Sequence, residues 1–148
     1  LDAWLVIRGI KTLPLRMEQH QKNATAIAAW LQKQPRVKYV LYPGLAEHPG
    51  YAVNKAQTSG FGGMISFAVD NAETARQILE GVKLIQFAES LGGTESLITY
   101  PIRQTHTDLT PKECAEKGIT DCLLRLSTGI EATDDLIADL AQAFAAVE

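Results

Sequence analysis

The stretch LLRLSTGIE, Leu123 to Glu131, reads as a buried β-strand entering a tight turn, with an arginine near its middle. Successive side chains on a strand point to opposite faces. Leu123, Arg125 and Ser127 therefore share one face, while Cys122, Leu124 and Leu126 share the other. The guanidinium projects from a face that also carries apolar groups, and a cation placed there needs a partner. One candidate is an acid of the chain, with Asp121 on the same parity. The other is the carboxylate of a ligand, because a guanidinium carries parallel N–H donors at the spacing of two carboxylate oxygens. Alternation leaves both open, and the turn that follows keeps this end of the strand beside a cleft.

Downstream, EATDDLIADLAQAFAAV places Leu136, Ile137, Leu140 and Phe144 on one face of a closing helix. Upstream, Pro111 opens a small helix to Lys117, preceded by a loop from Thr99 to Thr110. KLIQFAES reads as a short strand running into LGGTES. NAETARQILEGV is a helix with Asn71 as its cap and Gly81 as its stop. Met64 to Val69 is a strand with a glycine-rich entry, HPGYAVNKAQ a short helix, and RVKYVLYPG a strand ended by a Pro-Gly turn. The first 35 residues carry helical periodicity, including a long helix from Leu15 to about Gln34. Thr12 is its predicted cap, Pro14 lies in its first turn, and Pro35 stops it. The order predicts an α+β sandwich of about four strands in a mainly antiparallel sheet, with helices on one face. Residues 1–35 are expected to be connecting helices and 36–148 the sandwich.

A chain of 148 residues matches one domain with a substantial core. Its composition, 46% hydrophobic and 21% charged, is globular, and no apolar run approaches the roughly 20 residues of a membrane span. The net charge of −3, with acids and bases interspersed, provides no basic stripe for nucleic acid. Two cysteines, Cys114 and Cys122, build neither a disulfide framework nor a four-ligand zinc site, which suits a reducing cytoplasm and inert thiols. The sequence opens at Leu1 inside an apolar-periodic pattern, which reads as a fragment of a longer chain.

A second place where chemistry could reside is FAESLGGTES. Gly92 and Gly93 permit positive φ and a close approach of backbone N–H groups to a ligand, although a plain turn needs them equally. Glu89 falls where a strand ends, and Ser90 can donate to a ligand or to its own backbone. GFGG, Gly60 to Gly63, lacks the spacing of a phosphate loop or dinucleotide fingerprint and reads as a tight entry to a strand. His20, His48 and His106 have no metal-ligand spacing, so no metal is expected.

In order along nearly the whole chain, the segments WLVIRGIKTLPLRM, YPGL followed by HP, SGFGGMISF, ESLGGTESLITYP, QTH and GITDCLLRLSTGIEATDDLIADLAQAF resemble the C-terminal part of the cystathionine γ-synthase and γ-lyase family. These are fold-type I, pyridoxal 5'-phosphate-dependent enzymes of cysteine and methionine metabolism. The resemblance implies that Arg125 grips the α-carboxylate of an amino-acid substrate. It places Ser90 and Leu91 beside the substrate and the cofactor's lysine, with Ser90 close to the cofactor. It sets Glu89 near the distal end of the substrate, where it can meet the far ammonium of cystathionine. Wording such as GGTESLITYP is closer to γ-synthases, which join O-acyl-homoserine to cysteine or sulfide. C–S cleavage by a γ-lyase is the alternative, and a non-catalytic amino-acid-binding module the alternative of another class.

The family's Ser-x-Thr-Lys segment, which carries the cofactor lysine, has no counterpart in these 148 residues. A chain without that lysine is expected to be inactive alone and to bind no cofactor alone. Its implied partners are the N-terminal, cofactor-binding domain of the same enzyme and further copies in a tetramer, with neither nucleic acid nor membrane.

Overall fold

A computed structural model describes residues 1–147. The chain runs α1 (Asp2–Ile10), α2 (Leu13–Leu31), β1 (Val37–Leu41), α3 (Tyr51–Gln57), β2 (Met64–Val69) and α4 (Ala72–Gly81). It continues through β3 (Gln86–Phe87), β4 (Leu97–Thr99), a 3-10 turn (Pro101–Arg103), α5 (Pro111–Glu116), β5 (Leu123–Ser127) and α6 (Thr133–Ala145). The strands form one sheet in the order β1-β2-β5-β4-β3. Its pairings are antiparallel except β3 with β4, which are parallel.

Five strands replace the expected four. The additional strand, β4, has three residues, Leu97, Ile98 and Thr99, all of them buried, so it shows none of the alternation that marks a half-exposed strand. It sits between β5 and β3, directly after the glycine-containing segment LGGTES, and it includes Thr99, expected from the sequence at the start of a loop. The strand expected over KLIQFAES contracts to Gln86–Phe87.

Three helices cover one face of the sheet. Ile65, Phe67 and Val69 of β2, Leu124 and Leu126 of β5 and Ile98 of β4 share a core with Ala24, Ile27, Ala28 and Leu31 of α2. Ala75, Ile78 and Leu79 of α4 and Leu136 and Leu140 of α6 complete it. The helix α2 is thus part of the sandwich, whereas α1 buries no residue. Gly81 lies where α4 crosses α6, and a Cβ there would stand 3.2 Å from Ala143 Cα.

The terminal signals divide. Asn71 caps α4 by accepting from Thr74 N at 2.8 Å. Thr110 and Glu113 form a reciprocal capping box on α5. Thr12 occupies the cap position of α2 but makes no capping bond, and its hydroxyl donates instead to Gly9 O at 3.4 Å. No helix among the described residues is long and apolar enough to cross a membrane.

Candidate functional site

Arg125 occupies the third position of the central strand β5, paired with Ser66 of β2 on one side and Thr99 of β4 on the other. Its strand neighbours are buried, while it is itself half-buried on the face opposite the helical core. Asp121 does not answer the cation. Among the described residues Arg125 forms no ion pair, and the Asp121 carboxylate instead accepts from Cys122 Sγ at 3.2 Å. Arg125 Nη2 donates to Glu89 O at 2.7 Å and to Thr99 Oγ1 at 3.1 Å. Its Nε is buried without a hydrogen-bond partner.

An unpaired buried N–H carries a desolvation cost of about 1–3 kcal/mol that an incoming acceptor relieves. Among the described residues the charge has no acid paired with it. Such a group is suited to an anion that brings its own negative charge, such as a carboxylate.

The segment Ala88–Gly93 is tethered beside this guanidinium from the sheet. Thr99 Oγ1 donates to Ala88 O at 2.7 Å, Arg125 holds Glu89 O, and Ser127 Oγ accepts from Gly92 N at 2.9 Å. Thr99, Arg125 and Ser127 lie on one face of adjacent strands, so strand alternation itself lines up the three anchors. Gly92 has φ of 76°, in the left-handed region expected of one of the two glycines. Glu89 and Arg125 are thus joined through the backbone carbonyl of Glu89. The Glu89 carboxylate, the Ser90 side chain and the Leu91 side chain all stand exposed.

The turn after β5 is fixed by residues that helical periodicity passed over. His20 and Asn23 are buried on the face of α2 that meets this turn. His20 Nδ1 donates to Thr128 O at 2.6 Å, and Asn23 Nδ2 donates to Gly129 O and Glu131 O, both at 2.9 Å. Ser96 N donates to Glu131 Oε1 at 2.6 Å, and Gly129 N to Ser96 Oγ at 2.7 Å. A Cβ at Gly129 would lie 2.4 Å from Thr94 O, so that residue must be glycine. Polar residues at core spacing on α2 were the available signal: buried side chains of this type have partners, and the partners lie more than one hundred residues away.

The cysteines take no part. Cys114 is buried, and burial followed by the neighbouring Asp121 pushes the Cys122 thiol up, away from the thiolate.

Comparison with known proteins gives a family. Residues 1–145 match the family described as Cys/Met metabolism PLP-dependent enzyme. Cystathionine gamma-synthase of Haemophilus influenzae is 52% identical over 144 residues, 97% of this chain and 35% of that protein. Cystathionine gamma-lyase of Dictyostelium discoideum is 50% identical over 143 residues, 96% of this chain and 37% of that protein. The crystal structure of cystathionine gamma synthase from Xanthomonas oryzae pv. oryzae, in complex with aminoacrylate and cysteine, superposes with a TM-score of 0.93 at 46% identity. That match covers 97% of this chain and 38% of that one. The chain thus spans a little over a third of the length of these relatives.

Proposed function

This chain belongs to the family of Cys/Met metabolism PLP-dependent enzymes, and from that membership we propose that it is the C-terminal, substrate-binding part of a transsulfuration enzyme of the cystathionine γ-synthase type. The whole enzyme would join an O-acyl-homoserine to cysteine or sulfide. The observation that carries this reading is Arg125, a cation that among the described residues has no ion pair and has a buried, unpaired Nε, beside a tethered glycine-containing loop. Arg125 receives the α-carboxylate in this scheme. Ser90 and the backbone at Leu91 lie along the bound amino acid, and Glu89 faces its distal end.

The cluster fits the substrate's carboxylate and does not itself fit the cofactor. The aldehyde of pyridoxal phosphate bonds to an amine, and no lysine stands among Glu89, Ser90, Leu91, Thr99, Arg125 and Ser127. Anchoring of the cofactor is therefore assigned to protein outside this cluster, on an N-terminal domain of the same enzyme. The exposed apolar row Trp4, Leu5, Val6, Ile7 and Ile10 of α1 supports such a neighbour, because it finds no cover among the described residues. The residues of the present chain hold and orient the amino acid. A charge-assisted hold on its carboxylate restrains the rotation of the Cα bonds, which is an orientational contribution to rate.

Product analysis of the full-length holoenzyme tests the reading. O-acetylhomoserine plus cysteine is expected to give cystathionine and acetate. A second reading, C–S cleavage, is favoured by the 50% identity to a cystathionine gamma-lyase. Under it, cystathionine and water give cysteine, 2-oxobutyrate and ammonia. Cleavage without replacement overturns the synthase assignment, and neither reaction overturns the transsulfuration role.

A further inference from the structure

Thr99 faces Arg125 directly across the β4–β5 ladder and is fully buried. Its hydroxyl makes two bonds of opposite sense, donating to Ala88 O at 2.7 Å and accepting from Arg125 Nη2 at 3.1 Å. A hydroxyl has a single proton, and the Ala88 carbonyl, which can only accept, takes it. The lone pairs of Oγ1 are left facing the guanidinium, so the hydroxyl is fixed as an acceptor. With Glu89 O at 2.7 Å as the other acceptor, both protons of Nη2 are engaged, while Nε has no partner among the described residues.

We propose that Thr99 is a positioning residue for amino-acid binding: by locking Nη2 it sets the plane of the Arg125 guanidinium and directs its remaining donors to the substrate carboxylate. The inference rests on the assignment of Arg125 to that carboxylate. The physical reason is preorganisation. An arginine free to rotate about its last torsions loses that freedom on binding, whereas one held by Thr99 and Glu89 O has lost it on folding. The same hydroxyl couples the guanidinium to the Ala88–Gly93 loop, because Ala88 O and Glu89 O are consecutive carbonyls held from adjacent strands.

The test uses the full-length holoenzyme and two unreactive probes, L-norvaline and n-butylamine, which is the same amine without the carboxylate. Thr99→Val keeps the side-chain shape and removes the acceptor. It is expected to weaken norvaline binding by about tenfold, corresponding to the loss of one hydrogen bond to a charged group, and to leave butylamine unchanged. Thr99→Ser, which retains the hydroxyl, is expected to restore norvaline affinity. Equal weakening of both probes, or no change in either, overturns the role of Thr99. Arg125→Ala in the same assay separates the two claims. If it leaves the norvaline-to-butylamine ratio intact, the carboxylate assignment itself fails. If it collapses the ratio while Thr99→Val does not, only Thr99 is excluded. Should Thr99→Val not fold, Thr99→Cys, of similar size but a poor acceptor, carries the same expectation.

Discussion

At the scale of single residues, the position of Arg125 is dictated by alternation, and the consequence of that position by what surrounds it. A guanidinium paired with an internal acid would serve stability. One bonded to a carbonyl and a hydroxyl keeps its charge available. In the full-length enzyme, Arg125→Ala is expected to raise KM by about tenfold or more and to lower kcat as well, since a charge-assisted grip contributes roughly 1.5–3 kcal/mol. Steady-state kinetics measure this, and unchanged constants would contradict the assignment. The place of Arg125 on its strand was legible from the sequence. Its freedom from Asp121 was not, because parity puts two residues on the same side without bringing their charged ends together. Ser90 and Glu89 illustrate the same limit: their neighbourhood is readable, whereas the bond between Arg125 and the Glu89 backbone depends on a loop folding back over the sheet.

At the scale of elements, the helices were the most legible, because 3.6-residue periodicity and end signals repeat over many positions. Asn71 shows a local signal sufficient by itself. Thr12 shows one that is not, since its hydroxyl turns back to the preceding helix. The strand β4 was missed because three residues buried on both faces carry no period. Asp139 belongs to this scale too. On the inward face of α6 it is buried, and its carboxylate accepts from the N–H groups of Lys83, Leu84 and Ile85 at 2.8, 3.0 and 2.9 Å. It thus satisfies the backbone between α4 and β3. Asp139→Ala strands these donors and is expected to cost about 3 kcal/mol, whereas Asp139→Asn, which keeps one acceptor oxygen, costs less. Denaturant unfolding of the two variants against the parent protein is the measurement, and equal midpoints for all three would remove Asp139 from this role.

At the scale of the whole molecule, exposed electrostatics make a modest, pH-dependent contribution. The Thr74 hydroxyl and then the Arg36 guanidinium hold Asp70 below the usual carboxylate range. Arg76 does the same for Glu73, and the Thr110 hydroxyl for Glu113. Each folded-state pKa is lower than in the unfolded chain, so the stabilisation is fully present above the ordinary carboxylate values. It is lost as pH falls through the folded ones. Unfolding midpoints are expected to hold near neutrality and to decline below about pH 4, with the decline reduced in 1 M salt because Glu73 and Glu113 are solvent-exposed. A midpoint independent of pH down to pH 3 would contradict this.

The sequence by itself determined the helices, the seat of Arg125 and membership of a family, because these depend on local period or on ordered motifs spread over the whole chain. Tertiary structure alone decided the fifth strand, the burial of His20, Asn23 and Asp139, and the two-bond anchoring of Arg125 by Glu89 O and Thr99. Each of these joins residues far apart in the chain. A hydrogen bond is specified by the position of its acceptor, and that position exists only once the strands have been laid side by side.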